Sequence, residues 1–122
     1  MTPQPRRTPA RRRTAATARA VVDLVAARIE RALAQRARYR YVRPRVAREG
    51  QGWAVHSPNC SRNIDPAGGE IAIAWLLPSN EGPWLLHARD HAHGCWRLQA
   101  AGLSLDAALQ QLCSDPQRIF WP

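Results

Sequence analysis

From Glu70 to Leu77 the chain alternates without a break, with Ile71, Ile73, Trp75 and Leu77 on one side and Glu70, Ala72, Ala74 and Leu76 on the other. A repeat of two marks a β-strand, because successive side chains leave opposite faces of the backbone. Here the second side is apolar enough to be partly covered too. The flanking sequence supplies its partners. Pro78-Ser79-Asn80-Glu81-Gly82-Pro83 interrupts the pattern with prolines and a glycine, and Trp84 to Asp90 then resumes it, which predicts a hairpin. Asp90-His91-Ala92-His93-Gly94 leads into a third strand, Cys95 to Ala100, through residues that bond their own backbone or supply positive φ. Upstream, Gly50-Gln51-Gly52 turns the chain into a short strand, Trp53 to Ser57. Before it, Tyr39 to Glu49 has strand-like content in which Pro44 marks an edge or a bulge.

Helical spacing brackets these strands. From about Thr14 to Arg38, Ala18, Val22, Val25, Ile29 and Leu33 recur three or four residues apart, with Thr14 or Thr17 placed to cap the start. After Gly102, Ser104 is suited to cap a second helix whose apolar stripe is Leu105, Ala108, Leu109 and Leu112, with Asp106 in its first turn and Asp115-Pro116 ending it. The apolar ending Ile119-Phe120-Trp121 is expected to dock on the sheet or helix. The predicted fold is α+β: an N-terminal helix, an antiparallel sheet of about five strands, and a C-terminal helix packed on one face. Residues 1–13 are expected to be a disordered arm and residues 14–122 a single small domain. Such a domain has a small core, so its five tryptophans carry much of the burial.

The three cysteines form no close pair, which favours reduced thiols and a cytoplasmic location over a disulfide framework. No apolar run approaches a membrane span, so membrane insertion is not expected. Charge is very unevenly placed. Residues 1–48 contain 14 arginines against Asp23 and Glu30, whereas residues 49–122 contain four arginines against seven acids. No lysine occurs. Guanidinium groups offer planar, multidentate donors suited to phosphate, although an Ala- and Arg-rich chain is also what a GC-rich genome encodes. The arm Met1–Arg13 either tracks nucleic-acid phosphates by counterion release or serves as a solubilising tail, and the two readings weigh about equally. On the first helix Arg28, Arg31, Gln35 and Arg38 form a ridge opposite the apolar stripe and continue the charge of the arm. The nominated nucleic-acid-binding residues are therefore Arg6, Arg7, Arg11, Arg12, Arg13, Arg28, Arg31 and Arg38. Arg40, Arg43, Arg45 and Arg48 interleave with Tyr39 and Tyr41, a composition that either stacks bases or guards an exposed sheet edge, the second being the safer reading.

Catalytic chemistry is less well signalled. Cys60 stands beside Ser61 and Arg62, and a neighbouring guanidinium favours thiolate, but a nucleophile also needs a base. The Ser57–Gly69 loop reads more economically as backbone-bonding Ser, Asn and Asp shaped by Pro and Gly. His91, His93 and Cys95 are weak metal candidates, since zinc sites come as spaced pairs and neither CxxC nor HExxH occurs. The order of Glu30, Gly69-Glu70-Ile71 and the strand Leu85–Arg89 resembles the restriction-endonuclease-like core. Ala72 nevertheless stands where that core needs a metal-binding Asp, and His87-Ala88-Arg89 where it needs Glu-x-Lys. No enzyme activity and no cofactor are expected.

The run Trp84-Leu85-Leu86-His87-Ala88-Arg89-Asp90, then Trp96, a short amphipathic helix and the ending Asp115-Pro116-Gln117-Arg118-Ile119-Phe120-Trp121 resemble the small bacterial family called domain of unknown function 3024. Its members are similar in having a W-x-L-x-x-x-D strand, a following strand with an aromatic residue, and a terminal D-P-x-x-[IV]-F-W. The resemblance covers roughly residues 53–121 and departs from the family pattern in the Ser57–Gly69 loop. It implies a fold context and a bacterial source, and brings no activity, cofactor or catalytic residue with it. The leading functional expectation is a non-enzymatic protein that binds DNA or RNA, or regulates through such binding, with its arm and helix ridge. The alternative is a protein-interaction module with an incidental basic tail. A thiol or metal-dependent enzyme centred on Cys60 and the histidines comes third.

Overall fold

The computed structural model describes residues 24–36, 43–58 and 69–121. In chain order these form helix α1 (residues 24–34), strands β1 (Arg45–Glu49), β2 (Gly52–Pro58), β3 (Glu70–Pro78), β4 (Trp84–Asp90) and β5 (Cys95–Leu103), and helix α2 (Leu105–Ser114). The strands make one antiparallel meander in the order β1-β2-β3-β4-β5, each pairing with its neighbour in sequence. This is the α+β architecture expected, with a helix before the sheet and another after it. The expected arm, residues 1–13, and the segment 14–23 of the first helix lie outside the described residues.

The core lies on one side of the sheet. Ile29 and Leu33, four residues apart on α1, are fully or almost fully buried, and Val25 packs beside them. Leu105, Ala108, Leu109 and Leu112 supply the matching stripe of α2. From the sheet come Trp53 and Val55 of β2, Ile73 and Leu76 of β3, and Leu86 and Ala88 of β4. Ser104 caps α2 as expected: its backbone is extended and its Oγ accepts from Ala107 N at 3.1 Å.

The end of α1 and the start of β1 differ from the sequence expectation. The described helix α1 stops at residue 34 rather than running to Arg38. Gln35 N and Arg36 N donate to Ala32 O and Leu33 O in a tightened last turn. Arg36, 4 % exposed, then folds inward, its guanidinium carbon 4.7 Å from the centre of the Trp121 ring. Burial lowers its pKa, opposed by the Cys113 thiol. Strand β1 begins only after Pro44, at one edge of the sheet, where a residue without an N–H costs no ladder bond.

The larger correction concerns β3. The expected faces hold only up to Ile73, because the β2–β3 register shifts between Val55 and His56. Val55 pairs with Ala74 and His56 with Ala72, so Ile73 is the extra residue of a bulge. Beyond it the faces exchange. Ile73, Ala74 and Leu76 are buried in the core, whereas Trp75 and Leu77 are sent to the opposite face. Strand β5 also outruns its expected end at Ala100, continuing to Leu103 through two register irregularities against β4.

The chain ending docks as expected, and one carboxylate organises it. Asp115 takes the left-handed C-cap of α2 at φ 37° and is 2 % exposed. Its Oδ1 accepts from Ile119 N at 2.7 Å, its Oδ2 from Trp121 N at 3.0 Å, and Phe120 N lies 3.2 to 3.3 Å from both oxygens. The turn so fixed buries Phe120 and Trp121, and Trp121 Nε1 donates to Leu112 O at 2.9 Å. Ile119 remains exposed.

Candidate nucleic-acid interface

Of the nominated arginines, Arg28 and Arg31 lie in the described part of α1, whereas Arg6, Arg7, Arg11, Arg12, Arg13 and Arg38 lie outside it, as does Cys60. Arg28 and Arg31 are both exposed, so the part of the ridge within the described residues faces solvent. Arg28, however, forms an ion pair with Asp106 in the first turn of α2. A cleft of about 440 Å³ separates the two helices there, lined by Arg28, Arg31, Gln35, Asp106, Gln110 and Cys113. The acid that favours the N-terminus of α2 thus neutralises one guanidinium of the ridge. Burial pushes the Cys113 thiol pKa up, with Arg36 opposing.

The other chemically distinctive surface is the outer face of the sheet, opposite both helices. The β3 bulge delivers Trp75 to this face, where it pairs across β4 with His87. The indole lies against the β1–β2 turn. Its Nε1 donates to Glu49 O at 3.1 Å, and a Cβ added at Gly52 would meet Nε1 at 2.7 Å and Leu76 O at 2.5 Å. Gly52 is thus the residue that lets Trp75 lie down on the sheet. The ring centroid of Trp75 is 4.9 Å from His87 and 6.1 Å from Trp96 of β5, and the two indoles are inclined by only 29°. His87 Nδ1–H donates to Trp75 O at 3.2 Å. Arg89, paired with Trp96, holds its guanidinium carbon 5.0 Å from the centre of that ring. Leu98, opposite His87 on the sheet edge, is 55 % exposed. Two part-buried indoles, an imidazole and an arginine thus form a continuous strip across β3, β4 and β5.

Charged pairs flank the strip. Arg45 donates to Glu70 through Nη2 at 2.6 Å and Nε at 3.1 Å, and His56 Nδ1 lies 3.9 Å from the same carboxylate. Those bonds raise the Arg45 pKa and lower that of Glu70. At the β4–β5 turn, Asp90 accepts from Arg97 Nε and from His93 Nδ1 at 2.9 Å, which holds its carboxyl far below the usual range. The backbone N–H of His93 also donates to Asp90 Oδ1 at 3.1 Å. His93 is therefore engaged in shaping the turn. Burial lowers the His91 pKa, aided by the Arg89 charge and opposed by Asp90. Cys95 is exposed at the start of β5. Among the described residues, no three His, Cys, Asp or Glu side chains gather as a metal-holding group. Nor is any helix among them long and apolar enough to cross a membrane.

A family model described as a domain of unknown function, DUF3024, matches residues 17–122. The chain belongs to the DUF3024 family. The matched span takes in the described part of α1 as well as the sheet and α2. No curated protein and no solved structure matches the chain.

For this DUF3024 chain, sequence reading missed Trp75, His87, Arg89 and Trp96 as a group. His87 and Arg89 lie two apart on one strand and so share a face, which was readable. Their meeting with Trp75 was not, because strict alternation assigns Trp75 to the side of Ile71 and Ile73. A bulge leaves no composition signal, and only the pairing reveals it.

Proposed function

We propose that this protein is a non-enzymatic nucleic-acid-associated protein that gathers phosphates with its arginine-rich N-terminal third. The observation that carries this reading is the segregation of charge: 14 arginines and two acids in residues 1–48 against four arginines and seven acids in the remainder. A polycationic segment releases condensed counterions from a phosphate backbone, and the affinity so gained needs no shaped pocket. Arg31 extends that segment onto the exposed side of α1, and Arg43 and Arg48 carry it to the edge strand. Arg28 contributes less, because Asp106 already shares its charge.

The test is fluorescence anisotropy of labelled duplex DNA and single-stranded RNA across a salt series. It compares the full chain with a variant in which Arg6, Arg7, Arg11, Arg12 and Arg13 are replaced by serine. The expected outcome is micromolar or tighter binding that weakens with salt, with a shallower salt slope in the variant. On duplex DNA the slope falls by about 0.9 for each phosphate that the variant no longer neutralises. Equal affinity and equal slope for the two chains would remove the arm from the site. Absence of binding near physiological salt would overturn the reading.

A further inference from the structure

We infer that the outer face of the sheet is a base-stacking site, and that it makes the protein's preferred ligand a single strand rather than a duplex. The inference rests on the nucleic-acid reading above and assigns it a second surface with a different chemistry. Arginine-rich segments bind phosphates of any nucleic acid. Partly exposed indoles on a sheet face can stack on unpaired bases, whose π-faces are available only when the strand is open.

The face has three properties that a stacking site needs. Trp75 is held in place before any ligand arrives, by its bond to Glu49 O and by the space that Gly52 leaves, so little side-chain freedom is lost on binding. Trp75 and Trp96 are stacked on one another, inclined by 29° with centroids 6.1 Å apart, so the two indoles form one contiguous aromatic surface. Arg89 is the charged group in contact with these rings, 5.0 Å from Trp96, and a guanidinium beside a stacking platform suits a ligand whose bases alternate with phosphates. At the far end of the face Glu70 is bonded by Arg45, so its negative charge is compensated. Both helices pack on the other side of the sheet and leave the strip uncovered by α1 and α2. The bound partner is therefore a single-stranded DNA or RNA segment.

The experiment uses the full chain with three labelled oligomers of equal length: an oligothymidylate, the same backbone made abasic, and a duplex. The variants are Trp75→Ala, Trp96→Ala and, as the conservative control, Trp75→Phe, each checked for native far-ultraviolet circular dichroism. Trp96 lies on the edge strand, so its variant remains informative if Trp75→Ala fails to fold. The expected result is oligothymidylate binding at least about five-fold tighter than the abasic strand, the low end for one stacked base. That margin should shrink toward unity in either alanine variant and persist in Trp75→Phe, while abasic and duplex binding stay unchanged. Equal binding of the thymidylate and abasic strands by the unmodified chain would overturn the stacking site and leave the phosphate reading standing. A margin that survives both alanine substitutions would overturn it as well. Failure of all three oligomers to bind would sink both.

Discussion

Replacing Asp115 by alanine removes a single exposed-looking loop acid in sequence terms, yet in the fold it strips the acceptors from three consecutive backbone amides. Ile119 N, Phe120 N and Trp121 N all donate to this carboxylate at 2.7 to 3.3 Å, and the last two belong to buried residues. A buried amide left without a partner costs about 1–3 kcal/mol. Two such amides, together with alanine's poorer tolerance of the left-handed cap, imply a loss of about 4 kcal/mol. Asparagine keeps one acceptor oxygen but turns an NH2 toward a donor, for a loss of about 2 kcal/mol. Glycine relieves the backbone at φ 37° and still lacks the acceptors, so it should fall between them. Urea unfolding followed by both tryptophan fluorescence and circular dichroism measures the series. With a slope of about 2 kcal/mol per molar urea, Asp115→Ala should lower the midpoint by about 2 M. If glycine restores the unmodified midpoint, the position matters for its backbone angle alone. If alanine costs under about 1 kcal/mol, the carboxylate does not hold the chain ending and the reasoning fails.

Two further outcomes follow from the geometry of the sheet and its ion pairs. Gly52→Ala forces a Cβ against Leu76 O and Trp75 Nε1, which should destabilise by about 1–3 kcal/mol and loosen Trp75; unchanged urea midpoints and an unchanged thymidylate margin would show that the indole does not depend on this glycine. Asp90 and Glu70 both have folded-state pKa values below their unfolded ones, so their stabilisation is complete above about pH 5 and is lost as pH falls through the unfolded values toward the folded ones. The urea midpoint should accordingly decline on acidification below about pH 5, and Asp90→Asn should flatten that decline; a midpoint that rises in this range would contradict the assigned ion pairs.

The parts of the fold that sequence made legible are those set by local periodicity. Ile29 and Leu33, or Leu105 through Leu112, declare their buried stripe by spacing alone, and Ser104 declares its cap by chemistry and position. The prolines and glycines at Pro44, Gly50, Gly82 and Gly94 mark strand ends for the same reason. What stayed hidden depends on pairing between segments. The extra residue Ile73 is visible only against β2, and it decides that Trp75 leaves the core face. The inward turn of Arg36 depends on Trp121, from the opposite end of the domain. Asp106 reads as a first-turn acid on its own helix, and its partnership with Arg28 requires the two helices to be side by side. The basic character of the N-terminal third was thus readable in advance, whereas the aromatic strip of the sheet was not.

The meander has a kinetic corollary. Each strand finds its partner next to it in sequence, so the sheet is built from pairings of short separation, a property that favours rapid folding. The seams are nonetheless unequal. Glu49 and Gly52 are separated by two residues, Asp90 and Cys95 by four, and Pro58 and Glu70 by eleven. Closing the longest of these costs about 1 kcal/mol more chain entropy than closing the four-residue turn. Loop entropy therefore favours early pairing of the β1–β2 and β4–β5 hairpins over the β2–β3 seam. Because Trp75 is seated on the β1–β2 turn, its platform requires that longest loop to close.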